Sequence, residues 1–152
     1  VKEGMDVGSH SFSHPILTTL SDEQVKEEVR KTDKAIFEAC GQLPKNFRAP
    51  YGAADQRVAN IVGKPLINWS VDSQDWELKN APKTVDRVKN TLYEGSIVLM
   101  HDIHQTTVDA LPEIIDNMRN EGYEFVSVDT LLQQTQKPLY TYFGEKDFRM
   151  VP

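Results

Sequence analysis

Residues 95–104 read Gly-Ser-Ile-Val-Leu-Met-His-Asp-Ile-His, an unbroken apolar run that ends in a histidine and an aspartate. A continuous apolar run is typical of a strand that is covered on both faces of a parallel sheet. A helix is predicted before it from Pro82 to about Tyr93, with Gly95 as its stop. A second helix is predicted after it from Thr107 to Glu121, closed by Gly122. Helix and strand therefore alternate around this segment.

The same alternation extends outward along the chain. Further helices are predicted from an N-cap at Ser21 to Gly41, from Asp55 to Val62 and from Asp129 to about Gln134. Further strands are predicted from Leu66 to Val71 and from Phe125 to Val128. This order predicts an α/β fold built from β/α units, in which functional groups gather at the C-terminal ends of parallel strands.

Two domain-level features concern the ends of the chain. Val1-Lys2-Glu3-Gly4 resembles the last turn of a helix with its glycine stop, so we expect the chain to be a fragment of a longer domain. Residues 1–135 are then the C-terminal part of that domain. Residues 136–152 have no clear period and are expected to form an extended arm that packs on the domain through aromatic side chains, namely Tyr140, Tyr142, Phe143 and Phe148.

Composition excludes several classes of protein. With 17 basic and 23 acidic residues and a net charge of −6, the chain has no electrostatic footprint for nucleic acid. A single cysteine, Cys40, rules out an internal disulfide framework. No apolar run approaches the roughly 18 residues of a transmembrane helix, so none is predicted in these residues.

Two histidines four residues apart lie in Ser9-His10-Ser11-Phe12-Ser13-His14-Pro15, after a segment that enters a strand. Converging imidazoles form part of a site for Zn²⁺ or a similar ion, and a catalytic site needs three protein ligands and an open position. The alternative is two polar loop histidines bonded to the backbone. A helical metalloprotease-type pair is disfavoured, because no glutamate follows His10 and Pro15 discourages helix at His14.

Two more polar clusters follow short predicted strands. In Phe47-Arg48-Ala49-Pro50-Tyr51-Gly52, the guanidinium can hold a carboxylate and the fixed turn can direct N–H groups at an oxyanion. In Asp72-Ser73-Gln74-Asp75-Trp76, the carboxylates can ligate a metal, orient a histidine or cap a helix, and Trp76 can line a sugar-binding groove. The ordinary alternatives are a simple Pro-Gly turn for the first cluster and a helix cap with a core tryptophan for the second.

The last cluster is His101 at the end of the most apolar strand. An imidazole there suits acid–base chemistry, because histidine exchanges its proton near neutral pH. The alternative is a core histidine with satisfied hydrogen bonds. His104 is expected to be peripheral.

Together, and in this order, the four clusters resemble the polysaccharide deacetylase family (carbohydrate esterase family 4, with the nodulation-type deacetylase domain). The similarity is greatest to the peptidoglycan N-acetylglucosamine deacetylases of Gram-positive bacteria, and it runs from about Gly4 to Leu132. It implies that this chain is the C-terminal portion of an irregular (β/α) barrel. It also implies metal-assisted hydrolysis of an acetyl group.

On one side of the site, the resemblance implies a metal centre. His10 and His14 would be two of its three ligands, with Zn²⁺ favoured and Co²⁺ or Ni²⁺ as substitutes. Arg48 would position the catalytic carboxylate. The backbone N–H of Tyr51 would help to hold the tetrahedral oxyanion.

On the other side, the resemblance implies a proton donor. His101 would be the general acid that protonates the leaving amine, and Asp75 would keep it charged and oriented. Trp76 and Leu99 would form walls around the acetyl methyl group.

One family motif is missing from this sequence. The opening run Thr-Phe-Asp-Asp-Gly-Pro supplies the catalytic base from its first aspartate and the third metal ligand from its second, and it does not occur here. The resemblance therefore implies that an N-terminal segment of the same protein carries the Asp-Asp motif. We expect the 152-residue chain alone to be inactive, because two histidines without a carboxylate hold metal weakly.

The leading functional hypothesis is hydrolysis of the N-acetyl group of N-acetylglucosamine in peptidoglycan, with release of acetate. The alternative from another class is a catalytically incomplete carbohydrate-binding domain. Chitin oligomers and acetylated xylan are alternative substrates. The family resemblance further implies an extracellular or cell-surface location at the bacterial cell wall.

Overall fold

The computed structural model describes residues 3–133 and 136–152. The predicted helix end at Gln134 and the predicted domain boundary at residue 135 lie outside the described residues. The helices and strands, in chain order, are α1 (Asp22–Cys40), α2 (Gln56–Val62), β1 (Leu66–Ile67), β2 (Val71–Asp72), α3 (Asp75–Leu78), α4 (Ala81–Thr91), β3 (Val98–Leu99), α5 (Gln105–Asn120), α6 (Val128–Leu132), β4 (Tyr140–Tyr142) and β5 (Phe148–Met150).

Short parallel pairings align the β/α units side by side. Ser9 bridges Phe47 and Phe47 bridges Leu66, both in parallel, and β2 pairs in parallel with β3. Because the strands run the same way, the loops that follow them emerge at one edge of the fold. The predicted α/β class with parallel strands is confirmed.

Local capping explains where the first helix begins and ends. The Ser21 hydroxyl accepts the N–H of Gln24, and the Gln24 side chain accepts the N–H of Ser21 in return, which is a capping box. Gly41 closes the helix with φ of 73°. The prediction of a helix between Ser21 and Gly41 is confirmed.

The core has three parts, each between neighbouring elements. The largest packs α1 and α2 against the strand segments, and it includes Leu17, Val25, Phe47, Val58 and Leu66. A second part lies between α4 and α5, and a third lies beneath α6 and β4. In the part of the chain that the structure describes, no helix is both long and apolar enough to cross a membrane.

The prediction of one strand from Leu66 to Val71 is wrong, because this segment forms two strands with different neighbours. The N–H of Asn68 donates to the Tyr142 carbonyl, whereas the N–H of Ser70 donates to the Ile97 carbonyl. The backbone therefore stops pairing with β4 and begins pairing with the β3 segment within three residues. As a result, β1 and β2 belong to separate sheets.

The predicted strand from Phe125 to Val128 is also not formed. Residues 125–127 pair with no other described strand, and Val128 is already in α6, which the Ser127 hydroxyl caps through the Thr130 N–H. Phe125 and Val126 remain about half exposed. A segment rich in apolar and β-branched residues needs a neighbouring strand to become part of a sheet, and the described residues supply none here.

The C-terminal residues form a hairpin that joins the sheet. β4 adds to β1 in parallel and β5 returns antiparallel to β4. Tyr142 and Val151 are buried, while Phe148 is partly exposed and stacks on Tyr142 at 5.5 Å between ring centroids. The segment is thus tied by backbone hydrogen bonds as well as by the aromatic contacts expected from its sequence.

Phe47 is the residue on which this arrangement depends most, because it is fully buried and bridges two strand segments. We expect Phe47→Ala to lower the free energy of unfolding by about 3–5 kcal/mol, since it opens a cavity in the largest core part. Phe37→Ala on the exposed face of α1 is the matched control, because Phe37 is 51% exposed. Urea denaturation measures both, and equal losses would contradict this account of the core.

Candidate active site

The four polar clusters lie at the C-terminal ends of the strand segments. Ser9, Phe47, Asp72 and Leu99 all take part in the parallel pairings, and each is followed directly by one of the predicted site loops. A cavity of about 330 Å³ lies between these ends, and His10, Arg48 and Leu99 are among its lining residues. The structure therefore places His10 of the first cluster, Arg48 of the second and Leu99, two residues before His101, around one space.

His10 is held in a single orientation by a neighbouring strand. Its Nδ1 lies 2.6 Å from the Arg48 carbonyl oxygen, and because a carbonyl can only accept, Nδ1 carries the proton and Nε2 has a free lone pair. The pKa of His10 is lowered to about 4, chiefly by burial and also by the nearby charges of Arg48, His14 and His101, while the hydrogen bond to the Arg48 carbonyl acts in the opposite direction. His10 is therefore neutral near pH 7, which is the form that binds metals.

His14 lies against His10 in a strained loop. The two ring centroids are 4.9 Å apart at 79°, and the His14 ring is also 4.9 Å from that of Tyr51. Ser11, His14 and Tyr51 all have φ near +60°, a conformation that costs free energy for residues other than glycine. Strain of this kind clusters at functional sites, and here it lies at His14 itself and at Ser11, which follows His10.

The donor set fits part of a metal site. Two adjacent imidazoles, one of them neutral with a free Nε2, match the nitrogen ligands of a zinc centre. Among residues 3–133 and 136–152, no group of three His, Cys, Asp or Glu residues is placed to hold a metal ion. A complete site thus requires at least one ligand beyond these two histidines.

Arg48 lies beside the same cavity as a half-buried cation. Burial lowers the pKa of its guanidinium from a very high ordinary value, which leaves the group charged at neutral pH. Within the described part of the chain, no carboxylate forms an ion pair with Arg48. A guanidinium in this setting can hold a carboxylate that enters the cavity.

Asp75 and His101 form a hydrogen-bonded pair across the loops after β2 and β3. The fully buried Asp75 carboxylate accepts from His101 Nδ1 at 2.8 Å and from the His101 backbone N–H at 2.5 Å. Since a carboxylate only accepts, Nδ1 of His101 is protonated and Nε2 points away from Asp75. Burial alone would raise the pKa of Asp75, but the hydrogen bonds from His101 and Thr107 outweigh it and hold the pKa below its usual value.

Thr107 is a site residue that the sequence analysis missed. Its hydroxyl donates to Asp75 Oδ2 at 2.8 Å from the first turn of α5, and the side chain is almost completely buried. The available signal was a hydroxyl on the apolar face of that helix, in line with Ala110 and Ile114. A buried hydroxyl on such a face must find an acceptor.

The remaining predicted residues lie at the rim or in the wall. Leu99 is buried and lines the cavity. Trp76 and Tyr51 are 49% and 67% exposed, so both side chains are open to a ligand from solvent. The contact of Trp76 and Leu99 with an acetyl group, and the role of the Tyr51 N–H, stay predictions. His104 precedes α5 and takes no part in the pair.

Comparisons with known proteins place this geometry in a family. The family model for polysaccharide deacetylase matches residues 1–65. A solved structure described as T48 deacetylase with substrate superposes with a TM-score of 0.90 at 39% identity, covering 93% of this chain and 71% of that one. The fold of this chain is thus shared with a deacetylase. The chain belongs to the polysaccharide deacetylase family.

Two curated relatives are peptidoglycan deacetylases. The peptidoglycan-N-acetylglucosamine deacetylase PgdA of Listeria monocytogenes is 42% identical over 99% of this chain and 32% of its own length. The peptidoglycan-N-acetylmuramic acid deacetylase PdaC of Bacillus subtilis is 37% identical over 86% of this chain and 28% of its own length. The chain therefore spans about a third of the length of the curated relatives it matches.

The hydroxyl of Thr107 is tested by Thr107→Val, which keeps the shape and removes the donor. We expect a loss of about 2 kcal/mol in the free energy of unfolding at pH 7, because the buried carboxylate loses one of its donors. Thr106→Val is the matched control on the adjacent residue, which is only partly buried.

The pH dependence has a definite sign. The pKa of Asp75 in the folded protein lies below its unfolded value of 3.8, so the stabilisation is present above that pH and is lost as pH falls through the folded pKa. The difference between Thr107→Val and wild type should therefore shrink in denaturation series below pH 4. A difference that grows on acidification would contradict this account.

Proposed function

We propose that this chain supplies the C-terminal part of the active site of a metal-dependent deacetylase. The substrate is the N-acetyl group of N-acetylglucosamine in peptidoglycan, which is hydrolysed with release of acetate. We use the term parent protein for this chain together with the residues that we propose precede it. The observation that carries the proposal is the Asp75–His101 pair, in which Nε2 of His101 is free and His101 follows directly after Leu99 and Met100, two residues that line one cavity with a neutral His10.

His10 and His14 are proposed to hold Zn²⁺, with Co²⁺ or Ni²⁺ as substitutes. When bound, the ion supplies a Lewis acid that polarises the acetyl carbonyl and lowers the pKa of water. The support is the neutral state of His10 and the fixed Nδ1 proton, which leave Nε2 available as a ligand. The hydrogen bond to the Arg48 carbonyl is the kind of outer contact that orients metal-binding histidines.

His101 is proposed to act as the general acid. An amide nitrogen is a poor leaving group unless it gains a proton as the tetrahedral intermediate collapses, and the outward Nε2–H of His101 can donate that proton. Asp75 holds the ring in the correct tautomer and stabilises its protonated form. Water exclusion around the acetyl methyl would come from Leu99 and Trp76.

The oxyanion side is proposed to involve two residues of the second cluster. The backbone N–H of Tyr51 would donate to the developing oxyanion, and the positive φ of Tyr51 shows that the turn there is held in an unusual conformation. Arg48 would hold the catalytic carboxylate, which its unpaired guanidinium supports. Neither role requires movement of the strands.

An N-terminal segment of the parent protein is proposed to complete the site with an Asp-Asp motif. Two features support it, namely the guanidinium of Arg48 and the two-histidine half of a metal site. A third is an apolar groove of about 310 Å³ beside β3, whose lining includes Ile97, Met100, Phe125 and Val126. A strand from the preceding residues would cover this groove and pair with residues 125–127.

A catalytically incomplete carbohydrate-binding domain is the second candidate, and it is supported by the similarity of this chain, at 32% identity over 83% of its length, to a solved structure described as a CE4 family pseudoenzyme from Bacillus anthracis. Within the enzymes, the names of the relatives favour peptidoglycan, with N-acetylmuramic acid as a second sugar. Chitin oligomers and acetylated xylan remain the other substrates to test. A peptidoglycan substrate implies that the enzyme acts outside the cell or at the cell surface.

The catalytic proposal predicts a specific difference between two histidines of one loop. In the zinc-loaded parent protein, His101→Asn should lower acetate release from N-acetylglucosamine oligomers by at least about 100-fold, because the leaving amine loses its proton donor. His104→Asn is the matched control and should stay close to wild type. Zinc content should be the same in all three proteins.

Three outcomes separate the candidates. Activity that survives in His101→Asn would overturn the assignment of the general acid. A zinc-loaded parent protein that binds the oligomers and releases no acetate would favour the binding domain. Full turnover by the 152-residue chain alone would contradict the need for the N-terminal segment.

A further inference from the structure

We propose that Glu28, on α1, is a positioning residue for the metal-binding loop. This inference rests on the proposed function, because it concerns how the ligand His14 is held. It adds a residue from outside all four polar clusters to the site. No sequence motif points to it, and only the folded arrangement brings it to the loop.

The contacts of Glu28 fall between the two histidines. One carboxylate oxygen accepts the backbone N–H groups of Phe12 and Ser13, both at 2.8 Å, and the other accepts the Ser13 hydroxyl at 2.7 Å. The three donors come from two consecutive residues at the apex of the loop. Glu28 therefore fixes the segment that connects His10 to His14.

The loop needs this support because its own conformation is unfavourable. Ser11 and His14 have φ of 65° and 61°. Within the described part of the chain, the other hydrogen bond of the loop backbone is from the His14 N–H to the Ser11 hydroxyl at 3.0 Å. A strained segment persists only when its surroundings over-determine it. Hydrogen bonds to a charged acceptor are stronger than neutral ones, so a carboxylate is suited to this task.

The position of Glu28 on α1 makes the support rigid. Val25 and Val29 are buried on either side of it, which anchors this stretch of the helix in the largest core part. Lys31, one turn further on, places its ammonium 5.6 Å from the centroid of the Phe12 ring. Partial burial would raise the pKa of Glu28, but the hydrogen bonds from Ser13 and Phe12 outweigh it and keep the pKa below its usual value.

Comparison with Glu27, the neighbouring glutamate on α1, shows that the hydrogen bonds of Glu28 differ from ordinary surface ion pairs. Glu27 pairs with Arg30 and Lys31 of its own helix, at 2.8 and 3.4 Å. Such pairs contribute little to stability and touch no loop. Glu28 instead forms all of its side-chain hydrogen bonds with residues more than a dozen positions away.

The test compares three variants of the parent protein. We expect Glu28→Ala to weaken Zn²⁺ affinity about tenfold, as outer contacts of metal ligands commonly do. Glu28→Gln should recover most of the affinity, because its amide oxygen still accepts the two N–H groups and its amide nitrogen can donate to the Ser13 hydroxyl. Glu27→Ala, the matched control, should bind Zn²⁺ like wild type. Competition with a chelator measures all four affinities.

A second readout does not depend on the metal or on activity. In metal-free protein, Glu28→Ala should speed hydrogen exchange of the Phe12 and Ser13 amides, while Glu28→Gln and Glu27→Ala leave it near the wild-type rate. Urea denaturation of each variant shows whether the protein as a whole remains folded.

The outcomes distinguish this inference from the proposed function. Failure of the wild-type parent protein to bind Zn²⁺ would overturn the proposed metal centre, and this inference with it. Zinc binding by wild type together with unchanged affinity in a folded Glu28→Ala would overturn the inference alone. Unchanged exchange of the Phe12 and Ser13 amides would do the same. If Glu28→Ala does not fold, the test rests on Glu28→Gln. A folded Glu28→Gln that binds Zn²⁺ about tenfold more weakly than wild type would then overturn the inference.

Discussion

A carboxylate that is sealed from water must be paired, and Asp75 is paired by two groups of His101 and by the Thr107 hydroxyl. Loss of any one donor leaves part of a buried charge unsatisfied, which is costly. The requirement fixes the start of α3, the end of β3 and the first turn of α5 relative to one another. It also determines which nitrogen of His101 faces outward, so the geometry of the proposed general acid follows from the burial of its partner.

His10, which lines the cavity, has different surroundings from His101. Burial is the main reason that His10 stays neutral, and its Nδ1 donates to a backbone carbonyl, whereas Nδ1 of His101 donates to a carboxylate. These different surroundings support the different roles that we propose for the two imidazoles, one as a metal ligand and one as a proton donor. The strained loop between His10 and His14 is held from outside by Glu28, so the metal side depends on α1 as much as on the strands.

Much of the fold and most of the site residues could be predicted from sequence, for physical reasons that differ between elements. The capping box at Ser21 and the glycine stop at Gly41 are local, so the bounds of α1 follow from a few adjacent residues. The break in the strand after Ile67 could not be predicted, because it depends on Tyr142, which is distant in sequence. Thr107 and Glu28 were missed for the same reason, since each acts on residues far along the chain and belongs to no motif.

The central claim is that the histidine pair and His101 act on one bond from two sides of one cavity. Paramagnetic NMR on the Co²⁺-loaded parent protein tests it directly, because shifts and relaxation induced by the ion fall steeply with distance. The account predicts that the His101 ring signals are strongly shifted and broadened when Co²⁺ occupies the site of His10 and His14, while those of His104 change less. A His101 ring whose signals are the same with and without Co²⁺ would contradict the account.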